Sequence, residues 1–252
     1  MKKRREYVAV LAFLAAIIGI SGCSRQKEEK LTKYDTQFFE LFDTVTSVTG
    51  YARDEKTFQS YVDVFYDELK EYHQLYDIYN DYEGINNIKT INDHAGIEPV
   101  GVDDKIIQML EEAVDIYELT DGNMNVAMGS VLSIWHEYRE AGLKHPEQAQ
   151  LPPQEELEEA AKHMDIRKMV IDPEKKTVYL EDPDMSLDVG AIAKGYAAEM
   201  ASRKVEEAGL KHALISVGGN IRCIGTKPDG QKWVVGVQNP DTTSGERYLH
   251  RL

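Results

Sequence analysis

Ser186-Leu187-Asp188-Val189-Gly190-Ala191-Ile192-Ala193-Lys194-Gly195-Tyr196 is the most informative stretch of this 252-residue chain. An apolar, strand-like run ends at Asp188. Gly190 follows two positions later, and small residues, Lys194 and Gly195 then lead into a helical pattern that runs to about Ala208. Such a junction offers a carboxylate, free backbone N–H groups and a cation within one turn, which suits a phosphorylated ligand or a metal–phosphate complex. The same residues also make an ordinary strand-to-helix turn with a buried capping Asp. The pattern by itself leaves both readings open.

Downstream, Ala213–Val217, Asn220–Gly225 and Lys232–Gln238 read as three consecutive strands, with turns at Gly218-Gly219 and Pro228–Gly230. Upstream, Lys168–Asp172 and Thr177–Leu180 flank a Pro173–Lys176 turn as a hairpin. The β-branched run Thr44–Tyr51 reads as another strand. Phe58, Tyr61, Val62, Phe65, Leu69, Tyr72 and Tyr76 recur at helical spacing and predict a long amphipathic helix whose aromatics belong to the core. Tyr79–Asn92 is polar and reads as a loop. Asp103 caps a second helix with Ile106, Ile107, Leu110, Val114 and Tyr117 on one face, stopped at Gly122. Val126–Tyr138 is expected to be helical, Ala141–Pro153 a loop and Gln154–His163 a short helix. Helices and hairpins mix without regular β–α alternation. The expected fold class is therefore α+β, a single domain with a mixed or antiparallel sheet and flanking helices.

The N-terminus has the layout of a secretory signal. Lys2, Lys3, Arg4 and Arg5 precede the apolar run Tyr7–Ile20, which Ser21, Gly22 and Cys23 close. The run is too short for a comfortable membrane span. The small-small-Cys ending resembles the lipobox of bacterial lipoproteins, in which Cys23 becomes the acylated first residue. The expected organisation is a signal peptide at 1–22, an acylated Cys and flexible tether at 23–36, the folded domain at 37–240 and an irregular end at 241–252. The expected location is exported, lipid-anchored to the outer face of the bacterial cell membrane. The net charge is −15, and −18 once residues 1–22 are removed. So acidic a surface repels nucleic acid, and an anionic ligand needs a local cation or a bound metal. Cys223 is the only Cys besides Cys23, so no intramolecular disulfide is expected; within an apolar strand it reads as a buried, inert thiol.

Most catalytic motifs are absent. No Gly-x-Gly-x-x-Gly follows a strand, and Gly190-x-x-x-Lys194-Gly195 is not a phosphate-binding P-loop, because no Ser or Thr follows the Lys. No Gly-x-Ser-x-Gly occurs. The His residues are scattered without zinc-ligand spacing, and His136 beside Trp135 reads as a surface or packing residue. Four small constellations remain: Asp188/Gly190/Ala191/Lys194; the sharp Val217–Asn220 turn with Gly218 and Gly219; Asn123-Met124-Asn125, whose amides suit a heterocycle edge or a turn cap; and Tyr79, which can stack on a ring.

Taken in order, these constellations resemble the ApbE family, the FAD:protein FMN transferases of bacterial envelopes. The matching stretches are Leu41–Thr46, Leu75–Tyr79, Asp121–Asn125 with Val131–Trp135, Ser186–Tyr196, and Leu214–Gly225 followed by Trp233–Pro240. The resemblance implies that FMN is moved from FAD to a Thr of an exported flavoprotein domain through a phosphoester bond, with Mg²⁺ as cofactor. By position it implies that Asp188 contacts FAD, that Ala191 gives its backbone carbonyl to Mg²⁺ and that Lys194 lies near the FAD phosphates. Tyr79 would pack on flavin or adenine, with Phe42, Asn123, Met124, Asn125, Gly218 and Gly219 completing the pocket. Phe42 stands where many members carry Met, and Asn125 where many carry Asp. The family's proposed catalytic His and the rest of its metal ligands lie in a C-terminal stretch with no match here. The implied reading is therefore a C-terminally truncated form, weak or inactive, with its catalytic residues unassigned. A non-enzymatic flavin-binding lipoprotein and an FAD pyrophosphatase releasing FMN and AMP are the alternatives.

Overall fold

The computed structural model describes residues 30–252; the signal-like segment and Cys23 lie outside the described residues. The main sheet is built on β2 (Thr46–Ala52), whose residues alternate between buried and half-buried, as its β-branched alternation dictates. β1 (Thr32–Phe38) pairs with it on one side and β6 (Ala213–Val217) on the other, and β7 (Asn220–Ile224) follows β6 in a hairpin. All three pairings are antiparallel, with Val48 opposite Ile215.

Two helices cover this sheet. α1 (Glu55–Leu75) starts at Asp54, whose carboxylate accepts the Thr57 N–H, and buries Phe58, Val62, Phe65, Leu69, Tyr72 and Leu75. Each such side chain contributes about 1.5–3 kcal/mol by leaving water. The later helix that packs against α1, Ala193–Glu207, buries Ala197, Ala198, Ala201 and Ser202. Those short side chains let the two helix axes lie close.

Between these elements the chain adds α2 (Ile88–Asp93), β3 (Val100–Gly101), α3 (Asp104–Leu119), α4 (Gly129–Lys144), α5 (Gln154–Ala160) and the hairpin β4 (Met169–Asp172) with β5 (Thr177–Leu180). The helix Ala193–Glu207 is thus α6. β3, β5 and β4 form a second antiparallel sheet, and β8 (Gly236–Gln238) pairs with β9 (Tyr248–Arg251) in a third. Among the described residues the fold is α+β, with antiparallel sheets and six α-helices. No helix of the described residues is long and apolar enough to cross a membrane.

Several boundaries differ from the sequence reading. The tether expected over 23–36 gives way at Thr32 to β1, because Tyr34 and Phe38 pack their rings on Phe58, Phe65 and Tyr66. The expected loop over 79–92 contains α2, closed by a capping box between Asn87 and Thr90. The expected irregular end contains β9, and the strand expected over 232–238 is shorter, Gly236–Gln238, with Val235 exchanging both backbone hydrogen bonds with Leu252 beside it. α4 continues to Lys144, past the expected start of a loop at Ala141. Cys223 is half-buried in β7 rather than buried, and burial still pushes its thiol above the ordinary value.

Candidate functional site

Ser186–Asp188 is neither helix nor strand and belongs to no sheet. Its backbone is held from two sides. The Asn92 amide accepts the Leu187 N–H at 2.7 Å and donates to the Leu187 carbonyl at 3.0 Å. On the other side, Asp188 N–H donates to the Val126 carbonyl at 2.8 Å and Gly129 N–H donates to the Ser186 carbonyl at 2.9 Å. α4 must start with Gly there, because a Cβ at Gly129 would stand 2.5 Å from that carbonyl oxygen. The segment thus delivers Asp188 to the N-terminus of α6. Asp188 Oδ1 accepts the Gly190 N–H at 2.8 Å and shapes the turn. No side chain caps α6, whose N-terminus carries the positive end of the helix dipole.

A cleft of about 350 Å³ opens at this point. Asp188, Gly190, Ala193 and Lys194 form one wall; Phe42, Asp43 and Tyr79 face them, and His136 of α4 closes one end. His136 Nε2 lies 3.8 Å from Asp188 Oδ2, and its ring meets Tyr79 edge-on at 6.2 Å. Tyr79 is 61% exposed, so its ring is free to stack on a ligand. Burial and the Asp188 carboxylate raise its phenol above the ordinary value.

The opposite wall is shaped by a left-handed turn, with φ of 56° at Phe42 and 49° at Asp43. Non-glycine residues rarely adopt such angles, so something must hold them. His73 at the end of α1 does so: its Nδ1 accepts the Phe42 N–H at 3.3 Å, and its ring packs edge-on against the Phe42 ring. Tyr82 Oη lies 3.4 Å from His73 Nε2 and donates to Asp77 at 2.7 Å. With its proton committed to Asp77, the hydroxyl accepts from Nε2, which assigns the proton-bearing nitrogen of His73. Burial and the Asp77 bond push the Tyr82 phenol up to about 12. Burial raises the Asp77 carboxyl, but donors from Asn80, Tyr79 and Tyr82 outweigh it and leave the group below its ordinary value.

Of the sequence candidates, Phe42, Tyr79, Asp188 and Lys194 come together in the cleft. Ala191 sits in the same turn but is not a lining residue. Asn123, Met124 and Asn125, expected in the pocket, are not lining residues either. Asn123 donates to the Thr120 carbonyl, Met124 packs on the core, and Asn125 caps the Val126–Met128 turn while donating to the Met164 carbonyl. Their amides satisfy backbone, as turn-forming Asn residues do. Gly218 and Gly219 also stand outside the lining. Gly218 supports the Phe42 turn from behind: its N–H donates to the Val45 carbonyl, and a Cβ there would lie 2.6 Å from Thr44 Oγ1.

His136, read from sequence as a surface or packing residue, is instead a cleft residue, as are His73, Asp43 and Asp77. The signal for His136 was present. Gly129, Ser133 and His136 lie at helical spacing and form the small and polar face of α4 that meets Ser186–Asp188. Among the described residues, one His/carboxylate cluster has metal-sized spacing, His163, Asp182 and Asp184, and it lies outside the cleft. The Lys168 ammonium already sits 2.7 Å from Asp182 and holds that carboxyl down to about 2.

This is an α+β domain with a carboxylate, a lysine and aromatic rings gathered in one cleft at a helix N-terminus. A sequence model of the ApbE family matches residues 42–251, and the chain belongs to that family. It is 25% identical over 230 residues to the FAD:protein FMN transferase of Vibrio cholerae, covering 91% of this chain and 65% of that protein. It is 31% identical over 169 residues to the FAD:protein FMN transferase of Treponema pallidum, covering 62% and 45% respectively. The fold is similar to the crystal structure of an ApbE protein from Thermotoga maritima, with TM-score 0.72, 25% identity, and coverage of 87% of this chain and 67% of that one. It also resembles the flavin transferase ApbE from Vibrio cholerae, with TM-score 0.66, 20% identity, and coverage of 83% and 65%. The chain thus spans between about half and two thirds of the length of these relatives.

Proposed function

We propose that the domain binds FAD in the Asp188–Lys194 cleft and transfers FMN from it to a Thr hydroxyl of an exported flavoprotein domain. The observation that carries this reading is the meeting of Asp188, Lys194 and the uncapped N-terminus of α6 with Tyr79 and Phe42 in one cleft. Family membership and the names of the relatives support it.

In the reaction, the Thr Oγ forms a bond to the FMN phosphorus, the P–O bond to AMP breaks, and AMP leaves. The hydroxyl proton must pass to a base, a role that no cleft residue is assigned. Phosphoryl transfer of this kind depends on positioning and charge neutralisation. Asp188 holds the Gly190 turn, so that the backbone N–H groups of the α6 N-terminus face the diphosphate. Lys194 supplies positive charge, and Tyr79 and Phe42 offer faces to the rings.

A divalent cation fits the charge of this cleft. Asp43, Asp77 and Asp188 place three carboxylates against one ammonium, so a bare diphosphate is repelled. Mg²⁺ would be held by the Ala191 carbonyl together with phosphate oxygens and would neutralise charge on the leaving phosphate. On the same reading Cys23 is acylated after loss of residues 1–22 and holds the domain on the outer face of the cell membrane.

The test is incubation of the chain with FAD, Mg²⁺ and a flavoprotein domain bearing the acceptor Thr, followed by a denaturing gel. A fluorescent acceptor band that disappears with EDTA is expected. FAD binding without a labelled acceptor overturns the transfer step and leaves a flavin-binding protein. Release of AMP and FMN without an acceptor makes water the acceptor. Loss of metabolic acyl labelling in Cys23→Ala checks the anchor, and labelling that persists overturns it.

A further inference from the structure

A second cleft, larger than the first at about 780 Å³, lies at the other end of β2. β2 runs from Thr46, beside the Phe42 turn, to Ala52, which lines this second cleft. At roughly 3.3 Å per residue the strand separates the two sites by about 20 Å. The chain carries 44 Asp and Glu against 29 Lys and Arg, yet among the described residues no carboxylate lines this cleft. Lys30, Arg53, Lys211 and His212 do, with the hydroxyls of Thr57 and Tyr61 beside them.

Several of these groups are already held in place. Arg53 Nε donates to Thr57 Oγ1 at 3.0 Å, which fixes the guanidinium against the first turn of α1. Asp54 approaches Arg53 at 3.4 Å from outside the lining, and both side chains are more than half exposed. So open a pair costs little to break. His212 Nδ1 hydrogen-bonds the Thr226 carbonyl. A carbonyl only accepts, so Nδ1 carries a proton and Nε2 is left for another partner. The Tyr51 N–H donates to the His212 carbonyl at 2.9 Å and ties the β2 end to the β6 end. Among the described residues, Lys30 and Lys211 enter no ion pair. Concentrating cations in one concave place on an acidic protein is electrostatically costly unless an anion shares the charge.

We propose that this cleft is an anion site for a phosphate-bearing group, held by Arg53, Lys211 and Lys30. It is separate from the FAD cleft, and the proposal does not depend on flavin transfer. Arg53 offers the fork that matches phosphate oxygens, and the lysines add point charges. The group comes from one of two sources, a free phosphate or diphosphate compound or the head group of an anionic lipid. Lys30 stands seven residues after Cys23, so on the proposed anchoring the cleft lies within about 25 Å of a bilayer.

The experiment uses the full chain in mild detergent. Inorganic pyrophosphate is titrated calorimetrically into the unchanged chain, Arg53→Glu/Lys211→Glu and Lys194→Ala. Flotation follows with vesicles of phosphatidylcholine alone and with 30% phosphatidylglycerol. Arg53 and Lys211 are exposed, and a matching thermal midpoint verifies the fold of the double variant; Lys211→Ala serves as a milder second variant. Saturable pyrophosphate binding that survives Lys194→Ala and weakens at least tenfold in the double variant supports a free phosphate source. Absent pyrophosphate binding, together with flotation that needs phosphatidylglycerol and falls at least fivefold in the double variant, supports the lipid source. Binding and flotation equal in the unchanged chain and the double variant overturn the proposal, as does pyrophosphate binding that only Lys194→Ala removes.

Discussion

One side-chain amide serves both backbone groups of a residue 95 positions away: Asn92 accepts the Leu187 N–H and donates to the Leu187 carbonyl. Leu187 is fully buried, so without Asn92 its two polar groups face apolar surroundings. An orphaned buried group costs about 1–3 kcal/mol. Asn92→Ala is expected to lower stability by about 2–4 kcal/mol in urea unfolding. Asn92→Asp keeps the acceptor but loses the donor and should fall between. Equal stability of all three forms would remove this role.

Asp188→Ala and Asp188→Asn should differ. Both remove the charge, but Asn keeps an acceptor for the Gly190 N–H. A hydrogen bond to a charged group is worth about 1.5–3 kcal/mol. FAD affinity is therefore expected to fall at least tenfold in Asp188→Ala and less in Asp188→Asn, read by flavin fluorescence titration. Equal affinity in the unchanged chain and both variants would place FAD elsewhere.

His73→Ala removes the acceptor of the Phe42 N–H and the ring packed on Phe42. The left-handed turn then loses its support. Faster hydrogen exchange at the Phe42 amide is expected, with a several-fold loss of FAD affinity and a folded core. Unaltered exchange would show that Gly218 and the sheet hold the turn by themselves.

Asp182 makes stability pH-dependent. Its carboxyl sits at about 2, chiefly through the Lys168 hydrogen bond, so its folded-state value lies below that of the unfolded chain. The stabilisation is fully present above about pH 4 and is lost as pH falls through about 2. The thermal midpoint is expected to drop across that window. In Lys168→Met the drop should start at higher pH, because the bond that depresses the carboxyl is gone. Superimposable profiles would show that Lys168 does not hold Asp182 ionised.

Gly129→Ala would drive a methyl group toward the Ser186 carbonyl oxygen, 2.5 Å away. Overpacking of this kind costs about 1–3 kcal/mol. A lower thermal midpoint is expected, with weaker FAD binding because the strained carbonyl lies two residues before Asp188. A midpoint unchanged within error would mean that the two segments separate freely.

The strongly periodic parts of the fold were legible in the sequence. Phe58, Phe65 and Leu69 mark α1, and the alternation of Thr46–Ala52 marks β2, because one face of each must be buried. β1 was hidden by charge: Lys33 and Asp35 point to a tether, while the rings of Tyr34 and Phe38 commit the segment to the sheet. α2 is one and a half turns, too short for periodicity, and only its Asn87–Thr90 capping pair signals it. In the cleft, Asp188 and Lys194 were readable because they lie on one continuous stretch. His73 was not, because it reaches the cleft from a helix distant in sequence, and His136 was signalled only by its helical spacing from Gly129 and Ser133. Asn125 shows the limit of neighbour-based reading, since its neighbours suggest a ligand edge while its amide closes a local turn.

The alanine face of α6 reaches beyond stability. Ala197, Ala198 and Ala201 are buried where α6 packs on α1 and the sheet, so Lys194, in its first turn, inherits the seating of that packed face. A larger side chain at any of the three would tilt the helix as a lever and swing its N-terminus by ångströms. The aim of the charged end of the cleft is thus set one to two turns away, by residues that touch no ligand.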